Sequence, residues 1–225
     1  MTILAIDTAT KSIGIALADS SRVLFESIWQ SENYHSVELA PAIHRALEQT
    51  QIEVGGLSAI AVAIGPGSYT GLRIGLALAK GMAYSLGISL IPIKTLDILA
   101  AGIAVKEKPL IVLIQAGRTR FNAATYMAKD GAWIADQEAH IITINDLYES
   151  IVKPTLVCGE LSSTERKKLE RKKTNINLVS PAFSVRRPAI LAQLAFQDAQ
   201  ARPSVSMIGL EPEYLKSIAD LSTSS

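Results

Sequence analysis

The first thirty residues of the chain, MTILAIDTATKSIGIALADSSRVLFESIWQ, carry its most informative pattern of secondary structure. This stretch, residues 1–30, contains three runs of strand-forming residues, at 3–7, 12–18 and 22–30, which are joined by short, mainly polar links. Links of this length connect neighbouring antiparallel strands as hairpins. The stretch therefore predicts a three-stranded antiparallel meander.

A helix and then alternating strands and helices follow the meander. The helical pattern covers residues 33–49, and Pro41 within it predicts a helix that either begins near that proline or is kinked there. Residues 59–64 and 88–93 are continuously apolar, as parallel strands buried on both faces are, and a long helix ending near Gly87 lies between them. This order of elements is typical of a ribonuclease-H-like α/β unit.

The charged segment Lys106-Glu107-Lys108-Pro109 marks the predicted boundary between two domains, residues 1–105 and 106–225. The second domain carries strand patterns at 110–115, 120–127 and 155–158, and helical patterns at 145–152 and 189–201. It is therefore predicted to be an α/β domain as well.

Composition and charge exclude several classes of protein. The 225 residues carry 22 Lys+Arg and 21 Asp+Glu, and a formal net charge of +1 does not favour an independent nucleic-acid-binding protein. One cysteine, Cys158, excludes a disulfide framework and a cysteine-built zinc site, and we expect it to be a small buried residue. The start has no signal-peptide pattern and no run of about 18 apolar residues occurs, so we expect a cytoplasmic protein without a membrane span.

A glycine-rich turn, Gly65-Pro66-Gly67-Ser68-Tyr69-Thr70-Gly71, joins a buried strand to the long helix. Free backbone N–H groups at such a helix N-terminus can bind a phosphate, and Ser68 or Thr70 can cap the helix. A tight turn that needs glycine for its backbone is the simpler interpretation. Both interpretations stay open at this point.

Asp7 ends the first strand, where ribonuclease-H-like and actin-like folds often have a carboxylate that faces a metal or a phosphate. The turn after it, Thr8-Ala9-Thr10, lacks the glycine that lets a backbone approach phosphates. Asp7, Gly65, Gly67 and Ser68 are therefore candidates for a nucleotide site, and an ATP-dependent kinase or hydrolase is the alternative function. The scattered histidines form no ligand set, so neither a metal, a cofactor nor a catalytic set of residues is predicted.

The long helix carries two rows of small residues, each with a spacing of four. One row consists of Gly71, Gly75, Ala79 and Ala83, and the other of Arg73, Ala77 and Gly81. Glycines inside a helix cost about 1 kcal/mol each relative to alanine, so close contact with a neighbour should offset them. One row is predicted to pack on the protein's own sheet and the other on a partner helix.

A charged run covers residues 165–173 and contains six basic and two acidic side chains, with Leu169 among them. It predicts a solvated helix face whose opposite charges pair. An RNA-binding patch is the alternative, to which Arg118, Arg120, Arg186 and Arg187 could contribute.

Several of these segments resemble the TsaB (YeaZ) family over nearly the full length of the chain. The segments are Ile3-Leu4-Ala5-Ile6-Asp7-Thr8, His35-Ser36, the run from Ala61 to Gly75 with Tyr69 where phenylalanine is usual, and Pro212-Glu213-Tyr214-Leu215-Lys216. The resemblance implies an actin-like ATPase (ASKHA) fold with two lobes and mixed β-sheets flanked by helices. The stretch from Gln115 to Asn122 departs from the family's Asp-Ala-Arg pattern.

The resemblance also implies a role in making N6-threonylcarbamoyladenosine at position 37 of tRNA. In that pathway TsaD transfers the threonylcarbamoyl group, and a TsaB-like chain is its non-catalytic partner. The ATPase TsaE joins the assembly, tRNA is contacted only as part of the complex, and the chain alone is expected to form a homodimer. Thr95 and Leu99 stand where TsaD-like proteins have two metal-binding histidines, so the metal site and any protease activity are not expected.

The predicted partner interface lies on helices of the first lobe. Its residues are His35, Leu39, Gly71, Arg73, Gly75 and Ala79. A large residue at Gly75 or Ala79 is expected to weaken pairing while the monomer stays folded.

Overall fold

A computed structural model describes residues 1–31, 35–172, 174–201 and 209–215. The strands are β1 (Ile3–Asp7), β2 (Ser12–Ala18), β3 (Val23–Gln30), β4 (Ala59–Gly65), β5 (Ser89–Lys94), β6 (Leu110–Gln115), β7 (Arg120–Lys129), β8 (Ala132–Ala135), β9 (His140–Thr143), β10 (Thr155–Gly159) and β11 (Ile176–Leu178). The helices are α1 (His35–Thr50), α2 (Tyr69–Leu86), α3 (Thr95–Ala101), α4 (Ile144–Ser150), α5 (Ser163–Glu170) and α6 (Pro188–Ala201).

The described residues form two sheets whose strands are arranged in the same way. The first has the order β3-β2-β1-β4-β5 and the second β8-β7-β6-β10-β11, with β9 pairing to β7 as well. In both sheets the early strands pair antiparallel and the later ones parallel. The predicted meander of the first thirty residues and the ribonuclease-H-like order that follows it are confirmed.

Alternation of large and small residues gives the first sheet two different faces. The large side chains point to one face, where they pack with α1 and α2: Leu4, Ile6, Ile15, Leu17, Ile60, Val62 and Ile64. The other face consists mainly of alanines: Ala5, Ala16, Ala18, Ala59, Ala61 and Ala63. Helix α6 packs on this alanine face through Leu191, Ala192 and Ala195. Small side chains on both sides allow close packing of the helix on the sheet.

Helix α1 begins at His35 and continues through Pro41, so the first of the two alternatives, a start near that proline, is wrong. Proline inside a helix removes one hydrogen bond and costs about 3 kcal/mol. Burial of Leu39, Ala42, Ile43 and Ala46 against the sheet offsets this cost, because these residues recur at helical spacing on one face.

The chain divides into two compact units that do not follow one boundary in sequence. One unit consists of Met1–Ile98 and Arg186–Glu213, and the other of Leu99–Val185 and Tyr214–Ser225. This differs from the predicted division between residues 105 and 106, because α6 comes late in the chain and packs on β1, β2 and β5. The first unit is therefore built from both ends of the sequence.

The second unit has its own core beneath α4 and α5. The buried residues of this core are Leu113, Phe121, Ala123, Leu147, Ile151, Val157, Leu169 and Ile176. A capping box begins α5, in which the Ser162 hydroxyl accepts from Glu165 N and the Glu165 carboxylate accepts from Ser162 N. Strands β8, β9 and β11 are additions to the predicted elements.

The predicted charged helix face corresponds to α5 and the turn after it. Two of its lysines contact α4, where Lys168 Nζ donates to Asn145 Oδ1 and Lys172 Nζ donates to the Tyr148 carbonyl. Arg166 donates to the Val179 carbonyl at 2.6 Å. Leu169, in the middle of the run, is fully buried. Side chains of the charged run therefore bind α5 to α4 and to the residue after β11 in the same unit.

Cys158 is buried on β10, as predicted, with its Sγ 3.6 Å from Ser184 Oγ. Burial raises the pKa of its thiol from 9.0 to about 11.

Alkylation of Cys158 in the native chain at mildly alkaline pH should be about 100-fold slower than after denaturation, because each unit by which the pKa is raised removes about nine-tenths of the reactive thiolate. Mass spectrometry of iodoacetamide-treated protein, with and without urea, measures this ratio. Equal rates in the two conditions would contradict the buried placement.

None of the described helices is both long enough and apolar enough to cross a membrane.

Candidate functional site

Asp7, the candidate carboxylate at the end of β1, is bound by an arginine of the same unit. Arg186 Nε donates to Asp7 Oδ2 at 2.7 Å, and the two side chains are 1% and 2% exposed. Arg186 Nη2 also donates to Thr10 Oγ1 at 3.0 Å and to the Ser12 carbonyl at 3.1 Å. The second carboxylate oxygen of Asp7 accepts from Ala9 N at 2.9 Å. Both oxygens of Asp7 are therefore used inside the chain.

The glycine-rich turn is closed by the protein's own backbone. A Cβ atom at Gly67 would overlap the Ala9 carbonyl, and one at Gly65, whose φ is +125°, would overlap the Glu213 carbonyl. Ser68 N donates to the Ala9 carbonyl at 2.6 Å, while its hydroxyl accepts from Gly71 N and caps α2. The glycines give room to neighbouring backbone, which is the simpler of the two interpretations of this turn.

Helix α2 packs inward through the row Gly71, Gly75, Ala79 and Ala83, which we call the inner α2 row. The first two of these residues contact the turn after β1. A Cβ atom at Gly75 would overlap Thr8 Oγ1, and one at Gly71 would overlap the Thr8 carbonyl. Thr8 Oγ1 also donates to the Gly71 carbonyl at 2.7 Å. Further along the row, Ala79 and Ala83 are fully buried in the core.

Most of the predicted interface residues are therefore interior, and the assignment needs correction. Leu39, Gly71, Gly75 and Ala79 are buried in the first unit, so they are not available to a partner. Only Arg73 of the set has a described side chain at the surface. His35 is the first residue of α1, and its side chain lies outside what the structure describes.

The outer row of α2 is exposed instead. Arg73, Ala77 and Gly81 face solvent, and Tyr69 and Tyr84 near the two ends of the helix are 55% and 82% exposed. The Arg73 guanidinium lies over the Tyr69 ring, 4.2 Å from its centre. Alpha-helix α2 contains no Asp or Glu. We call the exposed set Tyr69, Arg73, Ala77, Gly81 and Tyr84 the outer α2 row.

The two positions expected to lack the metal-binding histidines have structural roles. Thr95 is fully buried, and its hydroxyl accepts from Gly65 N at 3.1 Å. Leu99 is 1% exposed. Among the described residues, no group of three or more His, Cys, Asp or Glu side chains could hold a metal ion.

Arg186 is the residue of this site that the sequence did not reveal. It was a candidate for the RNA-binding patch, and its burial with Asp7 excludes that role. Arg187 pairs with Glu26 of β3, and this partner raises the pKa of its guanidinium. The available signal was Asp7 itself, since a carboxylate at the end of an apolar strand needs a partner when buried.

Comparison with known proteins identifies the family. The family model described as "TsaD: tRNA N6-adenosine threonylcarbamoyltransferase" matches residues 29–224. The Bacillus subtilis tRNA threonylcarbamoyladenosine biosynthesis protein TsaB is 32% identical over 220 residues, which cover 96% of this chain and 94% of that protein. This chain belongs to the TsaB family. The Escherichia coli TsaB is 30% identical over 162 residues, or 70% of this chain and 64% of that protein.

Solved structures agree with the TsaB fold. YeaZ from Pseudomonas aeruginosa has a TM-score of 0.75 at 22% identity and covers 95% of this chain and 99% of its own. The ethanolamine utilization protein EutJ from Carboxydothermus hydrogenoformans has a TM-score of 0.52 at 12% identity, with 85% and 89% coverage. The chain therefore has the actin-like ATPase fold, with two mixed sheets flanked by helices.

Proposed function

We propose that this chain acts in making N6-threonylcarbamoyladenosine in tRNA, as a non-catalytic subunit that binds and activates a TsaD-type threonylcarbamoyltransferase. Its membership of the TsaB family supports the pathway, since its relatives in B. subtilis and E. coli are named for that biosynthesis. The internal contacts of Asp7, Gly65, Gly67 and Ser68 support the non-catalytic part, because those groups are engaged within the chain. The kinase or hydrolase alternative gains no support from this geometry.

The outer α2 row carries the proposal. An exposed helix face in a monomer is normally charged, whereas this face presents two tyrosines, one arginine and two small residues. Tyrosine and arginine are enriched, and acidic residues depleted, where proteins bind each other. Ala77 and Gly81 leave room for the backbone of a partner helix to approach closely.

Helix α1 extends the same face. It lies beside α2 on the large-residue face of the first sheet, and its Val37 is 67% exposed. An exposed valine next to a helix without acidic residues enlarges the apolar surface that a partner can cover. We therefore propose that one or two partner helices pack across α1 and α2, with the outer α2 row at the centre.

The substitution Ala77→Arg tests this interface. The variant adds a long charged side chain at the centre of the proposed contact, and arginine is a good helix former, so the fold should persist. We expect binding to the TsaD of the same organism to weaken about 100-fold or more, because a misplaced charge at an interface centre costs several kcal/mol. Size-exclusion chromatography with light scattering measures the complex, and a tRNA-modification assay measures its activity.

Gln197→Arg is the matched control for that variant. Gln197 is exposed on α6, which packs on the opposite face of the sheet, and the change adds the same charge to a helix. It should leave both complex formation and tRNA modification unchanged. A folded Ala77→Arg variant that binds as well as Gln197→Arg would contradict the proposed interface. Nucleotide hydrolysis by the isolated chain would contradict the non-catalytic role.

We further propose that a TsaE-type ATPase joins this assembly and that tRNA is contacted only within it. The net charge of +1 supports the second point, because long-range attraction of this chain for RNA is small.

Without its partner, the outer α2 row is proposed to pair two copies of the chain. Light scattering over a range of concentrations should then show a homodimer that Ala77→Arg dissociates.

A further inference from the structure

The end of β1 contains a pocket of oxygen atoms that holds a cation from the chain itself. Asp7 Oδ2, Thr10 Oγ1 and the Ser12 carbonyl converge on the Arg186 side chain at 2.7, 3.0 and 3.1 Å. Two of these groups belong to the turn between β1 and β2 or to the start of β2, so their spacing is fixed by the hairpin. The Arg186 side chain is 1% exposed, which excludes competition from solvent.

A guanidinium is well suited to this pocket. It is planar, offers five N–H donors in a fixed fork, and stays charged at every pH at which proteins fold. Different nitrogens of Arg186 reach different acceptors, Nε for the carboxylate and Nη2 for the hydroxyl and the carbonyl. A lysine ammonium or a compact ion could not contact the three oxygens in the same way.

The surroundings leave no open approach to Asp7 from the glycine-rich turn. The Ala9 carbonyl accepts from Ser68 N at 2.6 Å and fills the space beside Gly67. Glu213 N donates to the Ile64 carbonyl at 2.7 Å, and the Glu213 carbonyl fills the space beside Gly65. Two backbone N–H groups of the turn, those of Gly65 and Ser68, thus donate to Thr95 Oγ1 and the Ala9 carbonyl of the chain itself.

We propose that the oxygen atoms at the end of β1 form a cation site and that the Arg186 guanidinium is its built-in cation. By occupying the site, Arg186 keeps it closed to external cations and to metal-bound nucleotides. Loss of the side chain would leave a site with selectivity for small guanidinium compounds. The proposal concerns the first unit alone and does not depend on the partner role.

Chemical rescue of Arg186→Ala tests the proposal. Methylguanidinium should raise the melting temperature of the variant saturably, by about 3–5 °C at a roughly tenfold excess over its dissociation constant. Methylammonium, which has the same charge without the fork, should have no such effect, and neither compound should stabilise the wild type. Arg187→Ala is the matched variant, because its side chain is largely exposed, and it should show no rescue.

Two results would overturn the proposal. One is that methylguanidinium and methylammonium stabilise Arg186→Ala equally, or that neither compound stabilises it. The other is binding of Mg²⁺-ATP by the wild-type chain that is lost in Asp7→Asn. If Arg186→Ala does not fold alone, it is refolded from urea with either compound, and only methylguanidinium should restore folded protein. Equal recovery with both compounds would again contradict an arginine-shaped site.

Discussion

Alanine at position 75 is expected to destabilise the chain by about 2–4 kcal/mol, although alanine is the best helix former. The new Cβ would overlap Thr8 Oγ1, which already donates to the Gly71 carbonyl. To relieve the overlap, the helix must shift away from β1, with the cost of an overpacked core, and the buried Thr8 hydroxyl must turn and lose its carbonyl acceptor. Each of these two effects costs about 1–3 kcal/mol, and together they outweigh the gain in helix propensity.

Gly81→Ala is the matched control for this prediction. It is the same substitution in the same helix, but nothing lies within 4 Å of the added Cβ. It should stabilise the chain by about 0.5–1 kcal/mol, because only the conformational cost of glycine is removed. Urea denaturation of the two variants measures the difference in free energy of unfolding. Effects of the same sign would contradict the packing of the inner α2 row.

Removal of one partner of the Asp7–Arg186 pair is expected to cost about 3–5 kcal/mol, because the other charge is left buried without a partner. Asp7→Asn and Arg186→Met should each show this loss in urea denaturation. The double variant should lose less than the sum of the two, since no uncompensated charge remains. Additive losses in this cycle would show that the two side chains do not interact.

Arg187→Met is the control for the ion-pair cycle. Arg187 is the next residue in sequence and pairs with Glu26, but its side chain is 57% exposed. An ion pair with that exposure contributes about 0–1 kcal/mol. A loss for Arg187→Met as large as that for Arg186→Met would mean that burial does not explain the effect.

Local sequence patterns predicted the first unit well. Short polar links gave the hairpins, continuous apolar runs gave β4 and β5, and Gly87 in left-handed conformation ends α2 where expected. Strands β8, β9 and β11 were not predicted, because they have only three or four residues, too few to establish an alternation of apolar and polar side chains. The placement of α6 escaped because its alanine-rich face fits either unit by composition.

The candidate site was predictable only in part. Small residues in α2 indicated close packing on two sides, but both rows look alike in sequence. Which row is internal depends on Thr8, which only the fold brings against Gly75. The partner of Asp7 lies 179 positions away, and an arginine so distant has no local signature. Contacts of this range follow from the topology, and the sequence alone does not encode them in any short motif.

The two-ended construction of the first unit has a consequence for synthesis on the ribosome. The sheet of this unit is complete once residue 94 has emerged, but its alanine face stays uncovered until α6 has been made, more than ninety residues later. During that interval an apolar surface is open to chaperones and to other nascent chains, while the second unit can fold in the meantime. Translation speed between β5 and α6 would therefore affect the yield of soluble protein, and a fragment that stops at residue 105 would lack the helix that covers this surface.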